Sequence, residues 1–202
     1  HVMGMIDVGH DAQYVYVIMP FANGGELFDA IETNGRQSER DSRLIVQGML
    51  QGMQYCHGYG VSVNDTSLEN TILQVDHDTH RVRPLLMDFG MSSLMQLVDM
   101  GRRAPNSPNS AGKVHYLAPE VYARTVYDGI YADIWSMGVI IVMLVAGVPV
   151  CVKPSEECKR FRYVEEGRLS DVLNAWTHHG IPAYSRELHD LVNRMLRVTP
   201  VE

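Results

Sequence analysis

The stretch VSVNDTSLEN, residues 61–70, holds one carboxylate, Asp65, and a side-chain amide five positions on, Asn70. A second carboxylate, Asp88, opens the string DFG, and a third string, YLAPE, follows at residues 116–120. A carboxylate beside a hydroxyl can orient it and accept its proton. Carboxylate and amide oxygens are also hard donors of the kind that hold hard cations. Proton acceptance and cation ligation are therefore the chemistry these residue types offer. Each has a plainer use as well: Asp65 can cap its own loop, and Asp88 can be a turn or cap acid.

Such residues work only if regular elements hold them. QYVYVIM, 13–19, is β-branched and aromatic and predicts a strand, with 3–9 as its partner. PFANGG, with Pro20, Gly24 and Gly25, breaks regular structure. ELFDAIET resumes at helical spacing, and Asn34-Gly35 stops it. Ser38 or Asp41 caps a longer helix over about 41–58, whose inner face is expected to carry Leu44, Ile45, Gly48, Leu50, Gly52, Met53 and Cys56. NTILQV and VRPLLM, separated by a polar turn, predict a hairpin. Residues 91–114, with four Gly or Pro and several Ser and Asn, predict a long loop. Helices are expected at 132–146, 155–177 and 185–197. The class is α+β, mainly α.

Composition excludes several functions. The chain has 202 residues, 46% of them hydrophobic, enough for one well-buried core and marginal for two. The net charge of −7 and the lack of any Lys/Arg run argue against a nucleic-acid surface. Cys56, Cys151 and Cys158 fit no zinc or disulfide pattern and suit reduced thiols of a cytoplasmic protein. Residues 134–152 carry no charge, but Gly147 and Pro149 end the helical part early, so a buried core helix is expected and not a membrane insertion.

No single string decides the function; their order and spacing do. GGELFD at 24–29, D-x-x-x-x-N at 65–70, DFG at 88–90, APE at 118–120 and DIWSMG at 133–138 together resemble the large lobe of a eukaryotic-type protein kinase. GGELFDAI, CH, DIWSMGVI and RMLRVTP lean toward the calcium/calmodulin-dependent-like serine/threonine kinases. The resemblance covers nearly the whole chain and implies a kinase-like fold. Residues 1–19 would be the last strands of the small lobe, 20–23 the hinge, and 24–202 the helical lobe. It implies ATP and Mg²⁺ as cofactors and a protein substrate, with Asp65 as the base and Asn70 and Asp88 on magnesium. Met19 falls at the gatekeeper, and Phe21 and Ala22 in the hinge that meets adenine. Glu26 falls at the ribose acid and Ile72 at the apolar floor beneath the base. Glu26 also reads as an acid stabilised by a helix N-terminus, and Ile72 as strand core. Asp133 is expected to cap the catalytic-loop backbone from the buried helix.

Several positions depart from the family. Where its loop reads HRDLKPEN, Val63 replaces the His and Asn64 the Arg that pairs with a phosphorylated activation loop, so no such pairing is expected. Ser67 replaces the catalytic-loop Lys, and Lys113 stands where the family has the bridging Thr. The hydroxyl and the lysine have changed places, and Lys113 is expected to reach Asp65 and supply the missing charge. The plainer reading is a solvated loop lysine. No lysine precedes Lys113, so the small-lobe Lys, its partner Glu and the Gly-rich loop are not in this sequence. The Arg that pairs with Glu120 falls beyond VTPVE. Both ends read as truncated, and these residues alone are expected not to turn over ATP. A pseudokinase that binds nucleotide or scaffolds partners is the alternative. Ser92, Ser93, Ser107 and Ser110 are candidate phosphorylation sites in an otherwise ordinary polar loop.

Overall fold

A computed structural model describes residues 1–199 apart from His80, Gln96, 99–101 and 104–111. Strands β1 (Asp7–His10) and β2 (Val15–Ile18) form an antiparallel hairpin, with Asp7 opposite Ile18 and His10 opposite Val15. The Asp11 carboxylate fixes the turn by accepting from Gln13 N and Tyr14 N. Every residue of both strands is exposed. The ladder starts later than the expected strand at 3–9. The cause is a competing partner: Met3 N donates to Leu86 O and His1 O accepts from Leu86 N, drawing the first residues onto another strand.

Helix α1 (Leu27–Asn34) ends at Gly35, whose φ of 75° is open to glycine at low cost. Helix α2 (Glu39–Gly58) is capped by Ser38, whose hydroxyl accepts from Asp41 N. Its buried residues are Ser42, Val46, Gly48, Met49, Gly52, Met53 and Cys56. The expected inner face is thus corrected: Leu44 is exposed, and Ile45 and Leu50 are only half-buried. The two glycines mark the true contact. A Cβ at Gly52 would lie 2.5 Å from His1 O, and one at Gly48 would lie 2.7 Å from the His1 ring and Pro84.

Strands β3 (Val61–Ser62), β4 (Thr71–Val75) and β5 (Val82–Leu86) follow, and β4–β5 form the expected hairpin with Thr71 opposite Leu86. The segment read as one long loop contains β6 (Ser93–Leu94), which pairs with β3, and the short hairpin of β7 (Leu97–Val98) and β8 (Arg102–Arg103). Two-residue strands give too little alternation to read from sequence.

After α3 (Pro119–Tyr122) comes α4 (Gly129–Ala146), capped by Asp128 and closed by Gly147 in the left-handed region. Every residue from Trp135 to Val142 is buried, which explains why this helix is apolar all round. It is long and apolar enough to cross a membrane, yet most of it lies inside the protein, as a core helix should. The single helix expected at 155–177 is two, α5 (Lys159–Glu165) and α6 (Leu169–Thr177), because Gly167 takes φ 68° between them. Helix α7 (Arg186–Met195) closes the chain on a Ser185 cap. The architecture is the mainly helical α+β arrangement that the resemblance implied, with α4 at its centre.

Candidate active site

The site is built upward from α4. The Asp133 carboxylate is fully buried, so it needs donors to offset its lost hydration. It has three: Asn64 N at 2.7 Å, Val63 N at 2.8 Å and His57 Nε2 at 2.8 Å. The helix therefore grips the backbone of residues 63–64 as expected of Asp133. His57 joins from the last turn of α2. Sequence reading noticed it only within the string CH, since nothing local links it to a carboxylate 76 positions away.

Asn64 takes φ 64°, a conformation Asn tolerates better than most residues. Its Nδ2 donates to Met91 O at 2.9 Å and Ser93 Oγ at 3.0 Å. The loop is thus tied without any charge to the segment that follows DFG, beside the β3–β6 pairing. Ser92 Oγ donates to Phe89 O at 2.7 Å. Ser107 and Ser110 lie outside the described residues.

From this anchor the loop turns Asp65 toward Asn70. Asn70 Nδ2 donates to Asp65 O and Asp65 Oδ2, both at 2.8 Å. Fully buried Ser67 accepts Asn70 N at 3.2 Å on its hydroxyl and Thr71 Oγ1 at 2.9 Å on its carbonyl. Lys113 then arrives from the far segment. Its N donates to Asp65 Oδ1 at 3.2 Å, and its Nζ donates to Ser67 Oγ at 2.9 Å and Asn70 Oδ1 at 3.1 Å. The same Nζ lies 3.8 Å from Asp65 Oδ2. Gly112 permits the approach: its φ is 102°, and a Cβ there would lie 3.0 Å from Asn64 O and 3.2 Å from Asp65 Oδ1. The chain thus brings Asp65, Ser67, Asn70 and Lys113 into one cluster.

Asp88 reaches the same end of the fold through the β4–β5 register. Met87 N donates to Asn70 O at 2.9 Å, continuing the ladder one step past Thr71 and Leu86. Asp88 follows, exposed, at φ 59°, with Oδ1 accepting Gly90 N at 3.1 Å. As a hard, accessible carboxylate it fits a magnesium ion, which is commonly held by one or two carboxylates plus phosphate oxygens. Asn70 does not fit in this arrangement, because its amide oxygen faces an ammonium. No group of three His, Cys, Asp or Glu comes together for a metal among the described residues.

The residues that the resemblance sets at the nucleotide are only partly gathered. Residues 23–26 run along β4: Gly24 N donates to Leu73 O and Leu73 N to Gly25 O, both at 2.8 Å. A Cβ on Gly24 would sit 2.6 Å from Leu73 O, so the close approach requires glycine. This places Glu26 directly opposite half-buried Ile72. Ala22 is buried, while Met19 and Phe21 are exposed. The exposed apolar side chains and Ile72 suit the flat face of a base.

The segment after Lys113 is fastened to the loop and to α4. Buried Tyr116 donates through its hydroxyl to Glu69 Oε2 at 3.1 Å, and burial with that acid beside it pushes the phenol well above its usual range. Ser136 Oγ on α4 donates to Tyr116 O at 2.9 Å. Glu120 is half-buried, makes no ion pair among the described residues, and has its carboxyl raised by burial. A cavity of about 900 Å³ lies elsewhere, between α2, α4 and α7.

Comparison with known proteins matches the protein kinase domain family model over residues 1–202. Serine/threonine-protein kinase SRK2E of Arabidopsis thaliana is 34% identical over 94% of this chain and 49% of its own length. Serine/threonine-protein kinase H1 homolog of Danio rerio is 30% identical over 100% of this chain and 45% of its own. CBL-interacting protein kinase 31 of Oryza sativa subsp. japonica is 35% identical over 73% and 31%. The chain thus spans half or less of the length of these relatives.

Proposed function

Because this chain belongs to the protein kinase domain family, we propose that it is the catalytic lobe of a serine/threonine protein kinase that transfers the γ-phosphoryl group of ATP to a protein hydroxyl. The observation that carries this reading is the cluster of Asp65, Ser67, Asn70 and Lys113 at the end of the hairpin that also presents Asp88. Phosphoryl transfer asks a protein chiefly to position groups and to neutralise charge. Asp65 is held from three sides, by Asn70 Nδ2, Lys113 N and Lys113 Nζ, so its carboxylate has a fixed direction from which to orient a substrate hydroxyl and take its proton. The Lys113 ammonium supplies the positive charge that Ser67 lacks, from a segment 46 positions along the chain. Magnesium, bound with the nucleotide, would neutralise phosphate charge at Asp88. Glu26, Ile72, Met19, Phe21 and Ala22 are proposed to receive the nucleoside.

These 202 residues include no lysine before Lys113 to hold the phosphates from a small lobe, so the isolated chain is expected to be inactive. The test therefore uses the full-length protein, with labelled ATP, a mixture of protein acceptors and a thermal-shift measurement of nucleotide binding. Label on serine or threonine supports the kinase reading. Nucleotide binding with no transfer supports a pseudokinase, the reading that Val63, Asn64 and Ser67 favour. Absence of both removes the proposal.

A further inference from the structure

The ammonium of Lys113 sits on the amide oxygen that the family resemblance assigns to a metal ion. We infer that Lys113 is a resident cation at Asn70, so that this site takes one divalent ion, on Asp88, and not two. The inference rests on the kinase reading above.

Asn70 has no spare polar atom pointing the other way. Both of its amide hydrogens are directed at acceptors of Asp65, the backbone O and Oδ2, each at 2.8 Å. Its Oδ1 accepts Lys113 Nζ at 3.1 Å. The orientation of the amide is dictated by this environment. Flipping it would set an NH₂ group against an ammonium and an oxygen against a carboxylate, losing every one of these bonds. A magnesium ion on Oδ1 would have to approach to about 2.1 Å. It would then stand within a few ångströms of the ammonium, a separation at which like charges repel strongly even near a protein surface.

Withdrawal of Lys113 would cost it three partners at once. Its Nζ also satisfies the hydroxyl of Ser67, which is fully buried, and its backbone N is bonded to Asp65 Oδ1. Swinging the side chain out would leave Ser67 Oγ with Asn70 N alone and strip the ammonium from Asn70 Oδ1 and Asp65 Oδ2, so withdrawal has a cost. Gly112, at φ 102° and with no room for a Cβ against Asn64 O and Asp65 Oδ1, lets the chain bring Lys113 this close to the loop. Among the described residues, Asp88 faces no such competitor. It is exposed, and the one described bond to its carboxylate comes from Gly90 N. One side of the site is left for an ion, and the other carries its positive charge covalently. A monovalent charge fixed by the chain replaces one drawn from solution, so transfer should follow the concentration of the metal–ATP complex and gain nothing from excess free metal.

The test counts ions. Full-length protein with a non-hydrolysable ATP analogue is titrated with Mn²⁺, and bound ion is read by electron paramagnetic resonance. One Mn²⁺ per bound nucleotide is expected, rising to two in Lys113→Met, where Asn70 Oδ1 is released. Two ions in the natural protein, or one in both proteins, overturns the inference. Asn70→Ala gives a second reading that does not depend on how Lys113→Met folds. Unchanged Mn²⁺ stoichiometry and affinity are expected, and loss of a bound ion overturns the assignment. A protein that binds no nucleotide at all removes the kinase reading instead, an outcome distinct from a wrong ion count.

Discussion

Replacing Lys113 by Met deletes one positive charge 3.8 Å from Asp65 Oδ2 and removes the donor to Ser67 Oγ and Asn70 Oδ1 while keeping most of the stem. At that separation, and at an effective dielectric near 20, the attraction between the charges is about 4 kcal/mol before screening. Lys113 is 37% exposed and Asp65 16%, so solvent takes back a good part of it. About 2 kcal/mol is a reasonable remainder for transition-state charge stabilisation, which corresponds to roughly 30-fold in rate. Steady-state phosphotransfer by the full-length protein, with metal held equimolar to ATP so that no second ion fills the vacated place, should therefore show kcat falling ~30-fold, with the KM for the protein substrate little changed. The double variant Ser67→Lys with Lys113→Ser moves the ammonium back onto the 61–70 loop and should recover part of that loss. If kcat in Lys113→Met stays within about twofold of the natural protein, Lys113 is a solvated loop lysine and the charge-relocation account is refuted.

Three further outcomes follow from the same geometry. Asp133→Asn leaves the donors of Asn64, Val63 and His57 facing an amide and should cost about 3 kcal/mol, lowering Tm by roughly 6–12 °C in thermal denaturation. Gly112→Ala puts a Cβ against Asn64 O and Asp65 Oδ1 at a φ that L-residues rarely adopt, so ~1–3 kcal/mol of strain should appear as lost stability and reduced kcat together. Burial holds the Glu120 carboxyl above its ordinary value, so the folded chain binds this proton more tightly than the unfolded chain does. The charged side chain therefore weakens folding as pH rises above the ordinary carboxyl value of 4.5, and does so fully once pH passes the raised one. In these 202 residues, which do not include the Arg expected to pair with Glu120, Glu120→Gln should raise Tm by a few degrees at pH 7 and by nothing at a pH low enough to protonate Glu120 in both states.

What the sequence made legible was local. D-x-x-x-x-N, DFG and APE can be read because each lies within a few residues, and their order along the chain points to the family. The Lys113–Ser67 exchange was legible only through the family pattern, yet the contact itself joins positions 46 apart. The bond from Lys113 to Asn70 was not foreseen, because nothing in the spacing says which oxygen an ammonium will choose. The bond from His57 to Asp133 was not foreseen for the same reason, the carboxylate lying on another helix. On α2 the predicted face held Gly48, Gly52, Met53 and Cys56, which are buried, but strongly apolar Leu44 drew it toward an exposed side and away from Val46 and Met49. Helices α5 and α6 were merged because their apolar spacing carries across Gly167, whose positive φ no period reveals. The strands β6 to β8 are too short to show any period.

The central claim is that Asp65 is the base of a working phosphotransfer site, and the most direct measurement compares full-length natural protein with Asp65→Asn. Single-turnover transfer from labelled ATP should fall by about 10²–10⁴-fold, with nucleotide affinity retained, because Asp65 is bonded to Asn70 and Lys113 and not placed on the nucleoside side. Equal turnover by the two proteins would contradict the account.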